Sequence, residues 1–177
     1  MTEIGRIHSK GMYFVTLTVI GGIDVFTRYE YCDLLIDNLN YCIGHKRLRV
    51  YEYVILPSSL SMIVGVEQGN FSKVLRDFKS HSARQVLRAI AEHPSEIRKE
   101  WLIRLFQYYA NRYQRNAEHH FWQFGNHPID LEKLEKTGLP RPSVRDMLLK
   151  TNLIEAPEHY RYCSAYPLQG LNLAGIQ

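Results

Sequence analysis

Apolar and polar positions along this chain alternate in two periods. Met12 to Ile20 is rich in β-branched and aromatic residues and stops at Gly21-Gly22, which predicts a first strand and a turn. From Asp24 to Gly44 the apolar residues Leu34, Leu35, Leu39 and Ile43 follow helical spacing, so a helix is expected there. Arg49 to Ile55 and Leu60 to Val66 read as two strands joined at Pro57-Ser58. Phe71, Val74, Leu75, Phe78, Val86, Leu87 and Ile90 place a second helix over Phe71 to Ala91, ended by His93-Pro94. Glu96 to Arg115 predicts a third helix, His119 to Leu131 a hairpin or strand around Gly125-Asn126, and Ser143 to Asn152 a last short helix. Beyond Pro157 the pattern is irregular.

This order of β, α, β, β, α, more helix and a further strand is an α+β plan: a ferredoxin-like antiparallel sheet with helices packed on one face. No repeat, low-complexity stretch or linker divides the sequence. One domain over residues 1–177 is expected, with a core at about 12–165 and an irregular tail at 166–177.

Composition narrows the class only a little. With 177 residues, 45% of them hydrophobic, the chain can bury a sizeable core. A formal charge of +4 is compatible with a polyanionic partner without requiring one. Cys32, Cys42 and Cys163 are odd in number and widely spaced, which argues against a disulfide framework or a zinc site. The first residues lack an apolar signal core and no run is long enough to span a bilayer, so a cytoplasmic protein away from membranes is expected.

Several phrases resemble one family when taken in order. They are Tyr13-Phe14-Val15-Thr16, Asp24 to Arg28, Leu48 to Ile55, Leu75-Arg76-Asp77-Phe78-Lys79, Phe121-Trp122-Gln123 with Asn126 to Leu131, and Ala156 to Ala165. Val54-Ile55-Leu56-Pro57-Ser58-Ser59-Leu60-Ser61-Met62-Ile63-Val64 is similar to the metal-binding strand of HUH-class single-strand DNA transposases, including the REP-associated tyrosine transposases. The resemblance implies their fold and, as ancestral ligand, an imperfect DNA hairpin at the end of a mobile or repeated element. Family members occur as monomers and as dimers, so both states stay open.

The departures from the family pattern lie at its chemistry. The family strand carries two histidines two residues apart, a spacing that aims both at one magnesium or manganese ion. Here Ser59 and Ser61 occupy those positions. A serine hydroxyl stays protonated near neutral pH and holds a lone cation poorly, so metal binding is expected to be lost. The family's tyrosine nucleophile aligns, counting back from Pro157, with Ser143. Serine needs a positioned base to attack, and none can be assigned. The resemblance therefore implies a degenerate member with no catalytic residue expected.

DNA binding is the property expected to remain. Lys73, Arg76, Lys79, Arg84 and Arg88 fall largely on one side of the second helix, and Arg112 with Arg115 ends the third. Guanidinium groups suit phosphate oxygens, and Trp122 or Phe124 could stack an unpaired base. His119-His120 with His127 looks like a metal cluster, yet adjacent histidines on a strand face opposite ways, so a packing role near Trp122 is preferred. The Tyr108, Tyr109, Tyr113 stripe reads as core. Two alternatives stay open: a working nuclease or transposase with a rearranged site, and an interaction protein or remnant of a mobile element.

Overall fold

The computed structural model describes residues 11–113 and 118–174. Its centre is a four-stranded antiparallel sheet in the order β2-β3-β1-β4. The strands are β1 (Tyr13–Thr18), β2 (Leu48–Leu56), β3 (Ser59–Val66) and β4 (Ile129–Asp130). Burial alternates along β1, as the two-residue period demands. Tyr13, Val15 and Leu17 lie opposite Val64, Met62 and Leu60 and face the main core. Over that face lie α1 (Tyr29–Lys46), α2 (Phe71–Glu92) and α3 (Lys99–Tyr113), which contribute Tyr31, Leu35, Phe71, Phe78, Val86, Leu102 and Phe106.

The expectation that helices cover one face needs correction. All of β3 is buried, because a second, smaller cluster covers the other side of the sheet. There Val144 and Leu148 of α5 (Val144–Leu149) meet Val54 and Cys163, with Phe14, Leu56 and Tyr160 around them. A strand apolar on both faces must be covered on both.

Two boundaries move for identifiable reasons. The first helix starts at Tyr29, not Asp24, because Val25 and Phe26 are buried and the Phe26 N–H donates to the Pro57 carbonyl at 2.8 Å. Arg28 is extended, with φ −114° and ψ 141°, and caps the helix that begins after it. Of the hairpin or strand predicted at 119–131, the structure keeps a two-residue strand at its end, and the rest is an irregular segment along the edge of β1. Its backbone bonds run from Ile20 N to Phe121 O and from Gln123 N to Thr18 O, both 2.8 Å, before the chain returns as β4. A further helix, α4 (Leu131–Glu135), follows β4 where the sequence pattern predicts none. Asp130 caps it, accepting from the Glu132 and Lys133 N–H groups at 3.1 and 3.2 Å.

The turn after β1 is where glycine is required: Gly21 has φ 67°, and a Cβ there would collide with the Tyr109 hydroxyl.

The segment before α1 is tied to the turn before α3 by a buried carboxylate. Glu96, 5% exposed, accepts from Arg28 Nε at 3.0 Å, the Tyr31 hydroxyl at 3.2 Å, the Arg98 N–H at 3.0 Å and Arg98 Nε at 3.2 Å. Arg98 also donates to the Asp24 carbonyl at 2.8 Å. Burial pushes the Glu96 carboxyl up, but Arg98 and then Arg28 outweigh it and hold its pKa at about 2.

Residues beyond Pro157 lack long regular elements yet bond to the outer edge of β2. Ile55 N–H donates to Tyr162 O at 2.9 Å, Ser164 N–H to Tyr53 O at 2.9 Å, and Ala174 N–H to Val50 O at 2.8 Å. Among the described residues, no helix is long and apolar enough to cross a membrane.

Candidate nucleic-acid interface

The sequence singled out two places, which lie on different parts of the fold. The first is the sheet face under α5. Ser59 and Ser61 point to the same side of β3, where their cross-strand neighbours are Thr18 and Thr16 on β1 and Leu56 and Val54 on β2. Ser61 is fully buried, and its hydroxyl pairs with Thr16 Oγ1 at 2.9 Å. Val54, directly opposite Ser61, packs against Val144 and Leu148, so the fold brings the helix that follows Ser143 over the two serines.

Ser143 is the N-cap of α5, and its Oγ accepts the Asp146 N–H at 3.2 Å. Helix-starting N–H groups lack carbonyl partners, and a serine oxygen supplies one. Ser143→Ala should therefore lower the unfolding free energy by about 1 kcal/mol, measurable by urea titration. A loss below the precision of that titration would mean that the cap is not formed in solution. The donor set does not suit a divalent cation: hydroxyls are weak neutral ligands, Ser61 is already paired, and no group of three His, Cys, Asp or Glu residues is gathered among the described residues.

The second place is a groove of about 700 Å³ between α2 and residues 118–128. Arg76, Lys79 and Arg84 lie along its α2 wall, and His119, His120 and Phe124 along the other. Amphipathic spacing explains the first wall: Phe71, Val74, Phe78, Ser82 and Val86 turn into the core, and the cations between them turn outward.

The cations are not equivalent. Arg84 has no carboxylate partner among the described residues, and Arg76, with 75% of its side chain exposed, makes only a loose 3.9 Å contact to Asp77. Lys79 is already used. Its Nζ donates to the Gln123 carbonyl at 3.1 Å and to Asn126 Oδ1 at 2.7 Å, and burial pushes its pKa down. It ties the 123–126 turn to α2. Lys73 and Arg88 lie on α2 outside the groove lining, and Arg88 is paired with Glu92 at 2.8 Å.

Trp122 is a correction. It is 5% exposed, its indole N–H donates to Ser82 Oγ at 3.1 Å, and its ring stacks on Phe26 at 5.8 Å. It belongs to the core and is closed to an unpaired base. Phe124 is the exposed ring, at 54%. His120 stacks on it with centroids 4.3 Å apart, and Tyr113 meets it edge-on at 6.5 Å.

Arg112 joins this cluster, donating to the Tyr108 hydroxyl at 2.9 Å with its guanidinium 5.6 Å from the Tyr113 ring centre. Arg115 lies outside the described residues. The tyrosine stripe also differs from expectation: Tyr109 packs on the core, but Tyr108 and Tyr113 are 52% and 50% exposed. Nor do the adjacent histidines separate to opposite faces. Their segment is not a regular strand, and both line the groove.

No protein-family model and no curated protein matches the sequence. Among solved structures, the chain is similar to one described as the structure of the REP associates tyrosine transposase bound to a REP hairpin. The TM-score is 0.55 at 14% identity, over 93% of this chain and 82% of that one. At this identity the likeness establishes the shared fold, a mixed architecture around an antiparallel sheet.

Proposed function

We propose that this chain is a transposase-like DNA-binding protein that holds a hairpin or single strand in the groove beside α2 and does not cut it. The groove carries the reading. Two arginines with weak or no carboxylate partners face an exposed aromatic ring across an apolar floor, which is the combination that binds phosphate and unpaired bases together. The structurally similar transposase is described as a complex with a hairpin, which favours the same ligand class here.

The non-cutting part of the reading rests on donor chemistry. The family's metal ion would sit against Ser59 and Ser61, which do not suit it, and no step is derived through a metal. Ser143 spends its oxygen on the start of α5, and its alkyl alcohol is a far poorer nucleophile than a phenol of pKa near 10.

The test is a binding series on DNA hairpins at rising salt. Affinity should fall steeply and log-linearly, since arginines on phosphates release counterions. Binding that is absent, or indifferent to salt, would favour the interaction-protein reading. In the same tubes, with magnesium or manganese, no nicked strand and no covalent protein–DNA adduct is expected. An adduct abolished by Ser143→Ala would overturn the non-cutting part and leave the binding part standing.

A further inference from the structure

The groove has one feature that phosphate binding alone leaves unused. Phe124 is stacked on one side by His120 and braced by Tyr113, yet remains 54% exposed. A ring held in place from behind and open in front is a platform for a flat, unpaired base.

We infer that this groove takes one unpaired nucleotide, its base laid on the face of Phe124 turned away from His120 and its phosphate on Arg76 and Arg84. The inference rests on the DNA reading above and narrows it to one subsite. The size fits: about 700 Å³ lies inside the range of small-ligand sites, roughly 300–1,000 Å³. The charge order fits as well. Leu75, Leu87 and Phe121 form an apolar floor, while the arginines stand on α2 facing solvent, so a flat base turns in and its anionic phosphate turns out.

The test uses a short single strand carrying one 2-aminopurine, the same strand annealed to its complement, and free 2-aminopurine deoxynucleoside monophosphate. Fluorescence of the single strand should be quenched in a saturable way by the full protein, and that of the duplex should not. Phe124→Ala should abolish the quench and weaken single-strand binding at least about tenfold, and Phe124→Trp should keep both. His120→Phe retains a ring behind Phe124 and should keep both as well.

Single-strand binding without a quench, or a quench that survives Phe124→Ala, overturns the subsite and leaves the DNA reading standing. A quench of the free monophosphate alone supports the subsite and overturns the DNA reading. No interaction with any probe overturns both.

Discussion

Glutamate at both Arg76 and Arg84 should lower affinity for any DNA hairpin by about a hundredfold at low salt, close to 3 kcal/mol at about 1.4 kcal/mol per tenfold. Each arginine in contact with a phosphate contributes about 0.9 to the log–log salt slope, so the double variant should also bind with a slope shallower by roughly 2. The loss should be alike across hairpin sequences, because phosphate contacts carry no base information. Folding should be unaffected: Arg76 projects into solvent and Arg84 is exposed, with no carboxylate partner among the described residues. Arg88→Glu is the internal control. That side chain lies off the groove beside Glu92, so its reversal should change affinity only a few-fold at most. Undiminished binding by the double variant would place the DNA on another surface.

The largest stability effect is expected from Glu96→Gln. Removing the charge leaves Arg28 and Arg98 facing each other across a buried site, and breaking one partner out of such a network costs about 3 kcal/mol. For a chain of this length that is a fall of roughly 10 °C in Tm. The acid side gives the mechanism its own signature. The folded carboxyl titrates at about 2 against an ordinary 4.5, so its stabilisation is complete above pH 4.5 and is lost as pH falls toward 2. The gap between the parent and Glu96→Gln should therefore be widest near neutrality and shrink through that acid window. A gap independent of pH would mean that the glutamine destabilises by packing, not by charge.

The periodic elements were legible in the sequence because each is decided by its own residues. The alternation in β1, the apolar run of β3 and the stripe of α2 all appear where the pattern predicts them. The likeness to a transposase fold was legible only through the order of short phrases, since 14% identity leaves no single segment to decide it. What the sequence hid was decided at long range. Trp122 and Phe124 are both aromatic and two residues apart, yet one is core and the other surface. The choice is made by Ser82, forty positions earlier on α2, which receives the indole N–H. Likewise the basic face of α2 looked uniform. Only the fold shows that Lys79 is bound to the 123–126 turn, that Arg88 pairs along its own helix, and that Arg76 and Arg84 line the groove. Ser143 as a cap was legible from the helix that follows it, since a serine before an apolar-periodic run is a common helix start.

Both borders of the sheet are finished off. The outer side of β2 is occupied by backbone from residues 162–164 and 174, and β4 is two residues long before Asp130 diverts the chain into a helix. An open border of paired-ready amides is the usual template for adding a strand from another molecule, whether in a swapped dimer or in a fibril. With one border partly occupied by residues 162–174 and the other only two residues long, neither offers a long open row of amides to a strand from another molecule. The segment after Pro157, although it forms no long strand or helix of its own, thus covers the amides through which cross-β stacking would start.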